Sequence, residues 1–178
     1  MGMAPIVSRA PASPARRAQG ATVAVGPDPP ESRVPGGLAE CGVPRITGHL
    51  SPTLTVTDLE RSVAWYRELF GMTVRRAYEP ADASQRDACL VEPGTGLELC
   101  LVEYAHGARQ PFNEFVPGLD HLEFLVAARG DLDDWVARLD ALGVAHSGVK
   151  EPPYTRNAIL TFRDPDNIQL EFFWRAPP

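Results

Sequence analysis

The 178-residue sequence predicts an α+β domain made of two similar modules, each with the element order β-α-β-β-β. The first observation is an internal repeat: a shift of 70 residues pairs Trp65 with Trp135 and Leu69 with Leu139. The second is that each copy begins with alternating apolar and polar residues, which is typical of a half-buried strand. The third is that a helical apolar stripe ending at a glycine follows each of these strands. Duplication of one supersecondary unit accounts for all three observations.

The first 44 residues differ in composition from the rest of the chain. They contain 8 of the 18 prolines and 6 of the 15 glycines. Such a segment cannot bury enough apolar surface to offset the entropy lost on ordering. We therefore predict a disordered extension over residues 1–44 and a folded domain over 45–178. Within that domain, module one is predicted over 46–105 and module two over 117–175.

Module one is predicted to begin with a strand in which Leu54 and Val56 alternate with threonines. A T-x-x-E capping box from Thr57 to Glu60 predicts the start of a helix, and Gly71 predicts its end. Between them an apolar stripe predicts the buried face of the helix: Leu59, Val63, Tyr66 and Phe70. Three strand-like runs complete the module: Thr73–Tyr78, Ala88–Val91 and Leu97–Tyr104.

Module two is predicted to repeat this order. Leu122, Phe124 and Val126 alternate with other residues in its first strand. Asp131 is the predicted cap of the following helix, and Gly143 is its predicted end. The remaining strands are predicted at Val144–His146, Ala158–Phe162 and Ile168–Trp174, and the turn 164–167 joins the last two as a hairpin.

The charge and the cysteine content exclude several classes of function. The net charge is −6, and residues 45–178 alone carry −7, which argues against nucleic acid or an anionic membrane as the partner. No apolar run approaches the roughly 20 residues that span a bilayer. The three cysteines have no C-x-x-C spacing, so we predict a cytoplasmic protein with three free thiols: Cys41, Cys89 and Cys100.

Two carboxylates occupy similar places in the two modules. Glu98 and Glu171 lie among large apolar residues of the last strands, and Ser51 and His121 lie in the matching first strands, 47 and 50 residues earlier. If the modules pack pseudo-symmetrically, these positions meet in one cleft. A histidine nitrogen with two carboxylates suits a divalent cation such as Zn²⁺, Fe²⁺, Mn²⁺, Ni²⁺ or Co²⁺, which makes Glu98, His121 and Glu171 the predicted ligands. The competing interpretation is that both glutamates face solvent and that His121 is structural.

Three segments of the sequence resemble the glyoxalase / bleomycin resistance / extradiol dioxygenase family, the vicinal oxygen chelate superfamily: Leu54–Gly71, Gly118–Phe124 and Asp164–Glu171. The resemblance implies that paired βαβββ modules form a cupped mixed sheet around a cleft, with the helices outside and a divalent metal inside. It implies ligands at four positions: Ser51, Glu98, His121 and Glu171.

The sequence departs from this family at Ser51, where metal-binding members usually have histidine. His49 lies two residues upstream and is an alternative ligand, but Pro52 disturbs the hydrogen bonding of this strand. Three protein ligands leave coordination positions open for water, as a catalytic metal site requires.

The resemblance also implies a function. We expect a metal-dependent lyase or isomerase that chelates a small oxygenated substrate through two neighbouring oxygens, with Glu171 or Glu98 moving the proton. Tyr154 and Arg156 lie in a loop that either closes over the substrate or is simply exposed at the surface, and they are the predicted substrate contacts. The alternatives are a metal-free protein that sequesters a drug or metabolite, and a dioxygenase if His49 completes the site. No nucleic-acid or membrane partner is expected, and the cleft is completed either within one chain or across a homodimer.

Overall fold

The computed structural model describes residues 51–178, which fold into two four-stranded sheets with one helix each. The predicted extension 1–44, Cys41 and His49 lie outside the described residues. The elements of module one are β1 (Thr53–Thr55), α1 (Leu59–Phe70), β2 (Thr73–Tyr78), β3 (Gln85–Val91) and β4 (Glu98–Tyr104). Those of module two are β5 (Leu122–Val126), α2 (Asp131–Ala141), β6 (His146–Lys150), β7 (Ala158–Arg163) and β8 (Gln169–Trp174).

The two sheets have the same topology. Their strand orders are β1-β4-β3-β2 and β5-β8-β7-β6. In each sheet the first strand runs parallel to the fourth, and the other pairs are antiparallel. The predicted α+β fold with paired βαβββ modules is confirmed. Within the described residues, no helix is both long enough and apolar enough to cross a membrane.

The helix caps differ from the predicted ones. Asp58, not Thr57, is the N-cap of α1, and its carboxylate accepts a hydrogen bond from the Arg61 amide at 2.9 Å. Thr57 does not cap because its hydroxyl and its amide both donate to the Asp166 carboxylate of module two, the amide at 3.1 Å. The end of α1 is confirmed at Gly71, whose φ of 68° favours glycine.

Module two departs more from its predicted elements. The predicted cap Asp131 is the first residue of α2, and Gly130 precedes it without a capping side chain. Strand β6 begins at His146, so the predicted strand Val144–His146 is largely wrong. The Val144 amide donates to the carbonyl of Leu139, which keeps this residue in the turn that ends the helix.

An aromatic cluster joins the two modules. Phe70, the last residue of α1, lies 4.9 Å from Phe124 and 5.7 Å from Phe172 between ring centroids. Trp135 of α2 stacks on Phe172 at 4.1 Å. Helix α1 therefore buries part of its apolar stripe against the second sheet, and the modules share one hydrophobic core.

The turn between β7 and β8 also binds module one. The Tyr66 hydroxyl of α1 donates to the Asp164 carboxylate at 3.0 Å, and Arg61 donates to Asp166 at 2.8 Å. Burial raises the pKa of Asp164 to about 6. Burial and the charge of Asp164 raise the pKa of Tyr66 well above its usual value, so Tyr66 keeps its proton and remains a donor. This buried polar contact fixes the second hairpin against α1.

The prediction of free thiols is wrong for two of the three cysteines. Cys89 of β3 and Cys100 of β4 form a disulfide. The antiparallel register places these two residues directly opposite each other. The sequence gives only their separation of 11 residues, and the pairing depends on a register that composition and spacing do not specify.

Candidate metal centre

Strand alternation brings three polar side chains of module two to the sheet face that is not covered by the helix. Leu122, Phe124 and Val126 of β5 pack toward the core, so His121 and Glu123 point to the opposite face. Glu171 of β8 pairs directly with Glu123 in the parallel register. The three side chains therefore meet at one place on this face.

The ligand atoms of His121, Glu123 and Glu171 lie within 4.8 Å of one another. His121 Nε2 is 3.3 Å from Glu123 Oε1, and His121 Nδ1 is hydrogen-bonded to the carboxylate of Asp120. A carboxylate on one ring nitrogen fixes the orientation of a histidine and leaves the other nitrogen for a ligand. Asp120 therefore turns Nε2 toward the two glutamates.

Glu171 is the most buried member of this cluster, with 7% of its surface exposed. Burial raises its pKa, the charge of Glu123 raises it further, and His121 opposes both effects. Hydrogen bonding to Asp120 raises the pKa of His121, and contact with Glu123 adds to the effect. The cluster thus combines a desolvated carboxylate, a second carboxylate beside it and a histidine whose positively charged form is favoured.

This donor set fits a divalent cation. An imidazole nitrogen and two carboxylate oxygens are ligands of first-row transition metals. Two acidic groups at this distance repel each other, and a cation between them offsets both that repulsion and the desolvation of Glu171. His121 and Glu171, both predicted from the sequence, lie together, whereas Glu123 was missed. The available signal was that Glu123 shares the strand face of His121.

Module one carries different chemistry at the equivalent places. Under the 70-residue repeat Thr53 corresponds to Glu123. Thr53 pairs with Cys100 on β4, whereas Glu123 pairs with Glu171 on β8. The strand register therefore makes Cys100 the counterpart of Glu171, and the equivalence of Glu98 inferred from sequence spacing is wrong. The Ser51 hydroxyl lies 3.5 Å from Cys100 Sγ.

Glu98 lies two residues nearer the start of β4, in a separate cluster with Cys89 and Cys100 whose ligand atoms are also within 4.8 Å of one another. Its carboxylate is 2.8 Å from the Arg75 guanidinium. A cleft of about 470 Å³ lies between the modules, with Glu98 and Leu97 on one wall and Glu123 and Leu125 on the other. Glu98 and Glu123 thus line the same cleft from the two modules.

The loop residues predicted to contact substrate are exposed. Tyr154 and Arg156 lie between β6 and β7, and neither belongs to the lining of the cleft between the modules. Their predicted role therefore depends on movement of this loop and stays a prediction.

Residues 46–172 match the model of the Glyoxalase/Bleomycin resistance protein/Dioxygenase superfamily. The match covers most of the chain and both modules, so the chain belongs to this superfamily. No curated protein matches the chain.

Several solved structures share this fold. A glyoxylase/bleomycin resistance protein/dioxygenase domain from Frankia sp. EAN1pec is 36% identical, with a TM-score of 0.66, and the match covers 74% of this chain and 94% of that one. The fosfomycin resistance protein FosX from Listeria monocytogenes is 20% identical, with a TM-score of 0.56 and coverage of 74% and 96%. A glyoxalase family protein from Enterococcus faecalis is 21% identical, with a TM-score of 0.57 and coverage of 70% and 94%.

Proposed function

We propose that the protein is a metal-dependent lyase or isomerase of glyoxalase type, acting on a small molecule that has two neighbouring oxygens. The observation that carries this proposal is the cluster of His121, Glu123 and Glu171, which combines a metal-type donor set with a buried carboxylate. One member of the cluster, Glu123, lines a cleft of about 470 Å³, which is in the size range of small-molecule sites.

The roles follow from position. His121 and Glu171 hold the cation, with Asp120 orienting the imidazole, and Glu123 is the third ligand within reach. When bound, a divalent cation supplies Lewis acidity that stabilises negative charge on a substrate oxygen. Glu98, on the opposite wall of the cleft, accepts and returns the substrate proton, and Arg75 holds its carboxylate in place. If Glu98 is instead the third ligand, as the sequence predicts, Glu123 is the remaining base.

The choice of Mn²⁺ as the first probe has support from a structural neighbour. One structure of the Listeria monocytogenes fosfomycin resistance protein is a complex with Mn(II) and a sulfate ion. That protein is 22% identical to this chain, so the likeness concerns the fold, and the metal of this protein has to be measured. Zn²⁺, Fe²⁺, Ni²⁺ and Co²⁺ are the comparison ions.

Proton exchange tests the proposed reaction class. Small α-hydroxy ketones and aldehydes are incubated in D₂O with the Mn²⁺-loaded protein, and loss of the carbon-bound proton is followed by NMR after the metal is removed. We expect exchange above the protein-free rate, and a loss of at least about ten-fold in Glu98→Gln because a general base is removed. Glu123→Gln is the matched variant on the other wall. If it loses exchange while Glu98→Gln keeps it, the two roles are reversed.

A metal-free binding protein is the second candidate, and one observation favours it. The positions of module one that correspond to His121, Glu123 and Glu171 carry uncharged side chains: Ser51, Thr53 and Cys100. Under this alternative the purified protein gains no metal when Mn²⁺, Fe²⁺, Ni²⁺ or Zn²⁺ is added. The dioxygenase alternative requires His49 as a further ligand and stays a prediction.

A further inference from the structure

The disulfide between Cys89 and Cys100 lies on the same face of module one as the cleft residue Glu98. Cys100 Sγ is 3.8 Å from a Glu98 carboxylate oxygen and 3.5 Å from the Ser51 hydroxyl. We propose that this disulfide is an exchange site for a small-molecule thiol, in which Cys100 is the sulfur attacked and Cys89 is the leaving thiolate. The proposal is independent of the metal centre in module two.

The two sulfur-bearing residues differ in access. Cys89 is fully buried, with 0% of its surface exposed, whereas Cys100 keeps 7%. Attack by an external thiol depends on access to the sulfur, so the residual exposure of Cys100 favours attack there over the fully buried Cys89.

The two sulfurs differ in electrostatic surroundings as well. Arg76 Nη2 lies 3.0 Å from Cys89 Sγ, and the nearest carboxylate paired with this guanidinium, Asp87, is 3.8 Å from it. A guanidinium in contact with a sulfur stabilises the thiolate. A better stabilised thiolate is a better leaving group in disulfide exchange. Arg76 therefore favours departure of Cys89, which agrees with attack at Cys100.

Two molecules of the small thiol reduce the disulfide in two steps. The first thiolate bonds to Cys100 Sγ, the disulfide breaks, and its electron pair leaves on Cys89. A second thiolate then attacks the small-molecule sulfur of the mixed disulfide, releases Cys100 as a thiolate and forms the small-molecule disulfide. Both cysteines end as thiols after protonation, and the two electrons come from the two small thiols.

Reduction of the disulfide leaves a free thiol on Cys100. Cys100 occupies the strand position that corresponds to Glu171 in the metal centre of module two. Thiol–disulfide exchange thus determines whether this position of module one carries a free thiol or a sulfur that is held in the disulfide.

Trapping identifies the attacked sulfur. In a Cys41→Ser background, the protein with its disulfide intact is incubated with reduced glutathione, quenched by rapid alkylation and analysed by tandem mass spectrometry, which locates the mixed disulfide. We expect at least about ten-fold more glutathionyl group on Cys100 than on Cys89, because access to the two sulfurs differs. Equal amounts on the two cysteines, or more on Cys89, would overturn the assignment.

Reduction kinetics test the same proposal without removing the disulfide. With glutathione as reductant, Arg76→Gln is expected to slow the loss of the disulfide by about ten-fold, and Arg76→Lys to restore much of the rate. Arg129→Gln is the control, since it removes the same charge from module two, where Arg129 contacts Asp133 and Glu151 and not sulfur. Equal rates in Arg76→Gln and Arg129→Gln, or a disulfide that glutathione does not reduce, contradict the proposal. Thermal unfolding midpoints of all variants show whether the fold is retained.

Discussion

The two modules share one strand topology but present opposite chemistry on the sheet face away from the helix. Module two places His121, Glu123 and Glu171 together, whereas the corresponding places of module one carry Ser51, Thr53 and Cys100. The apolar residues that face the helices are preserved in type in both modules because they form the shared core. The difference teaches that helix-facing positions maintain this fold, while the alternate positions of the same strands are free to gain or lose a metal-type cluster.

The two hairpin turns show a similar contrast. In the β3–β4 turn of module one, the hydrogen bonds that the Glu92 carboxylate accepts from residues 51–178 come from its own turn: the amides of Gly94 and Thr95 and the Thr95 hydroxyl. In the β7–β8 turn of module two, Asp166 accepts hydrogen bonds from residues of the other module, including the Thr57 amide and the Arg61 guanidinium. The second turn therefore contributes to assembly of the two modules, and the first contributes only to its own hairpin.

The largest expected effect is on metal affinity, and it distinguishes the cluster of module two from the corresponding residues of module one. His121→Ala is expected to weaken Mn²⁺ binding by at least about 100-fold, because it removes the only imidazole of the donor set. Ser51→Ala, at the corresponding place of module one, is expected to change the affinity by less than about two-fold. Calorimetric titration of both variants measures this. Equal losses in the two variants would show that the modules share the site.

The next effect concerns the turns. Asp166→Ala is expected to lower the free energy of unfolding by about 2 kcal/mol, because the buried Ser62 hydroxyl and the part-buried Thr57 amide of module one lose their acceptor. Glu92→Ala is expected to cost less than about 1 kcal/mol, since its partners are exposed to water. Urea unfolding of the two variants measures the difference, and a Glu92→Ala loss as large as that of Asp166→Ala contradicts this account of the turns.

A smaller effect is expected when module one is given the residues of module two. Ser51→His with Cys100→Glu, made together with Cys89→Ser, is expected to tighten Mn²⁺ binding by about ten-fold. The reason is that two metal-type ligands are added on the module that lacks them. Cys89→Ser alone is the control. Unchanged affinity in the combined variant indicates that module one does not face the metal.

The smallest effect is on pH dependence. Hydrogen bonding to Asp120 raises the pKa of His121, and a metal binds only the neutral imidazole. Acidification from pH 8 to pH 7, toward that raised pKa, therefore favours the imidazolium and weakens metal binding. Asp120→Asn is expected to move this loss to lower pH. The Mn²⁺ affinity of both proteins over this range measures the shift, and identical pH profiles contradict the role of Asp120.

Much of the fold is predictable from the sequence because apolar periodicity reports burial directly. Of the predicted stripe of α1, Leu59 and Tyr66 are buried and Val63 and Phe70 are partly buried. Gly71 ends the helix, as predicted, with a positive φ. The first and last residues of β2, Thr73 and Tyr78, are those that the sequence predicts. These features depend on local sequence alone.

The parts that were missed depend on register and on contacts between modules. Cys100, and not Glu98, corresponds to Glu171 because of the pairing of β1 with β4, and counting residues through loops of different length gives the other answer. Glu123 was not predicted because, in the sequence, a strand carboxylate that belongs to a ligand cluster has the same alternating pattern as one that only faces solvent. The cap of α1 shifted because Thr57 is bound by Asp166 of the other module.

The central claim is that module two holds a divalent metal. Elemental analysis after treatment with a chelator, reconstitution with Mn²⁺ and desalting tests it most directly in three proteins: wild type, Ser51→Ala and His121→Ala with Glu171→Gln. We predict about one equivalent of metal in the wild type and in Ser51→Ala, and less than about a tenth of an equivalent in the double variant. Less than about a tenth of an equivalent in the wild type, or equal metal in all three proteins, contradicts the claim.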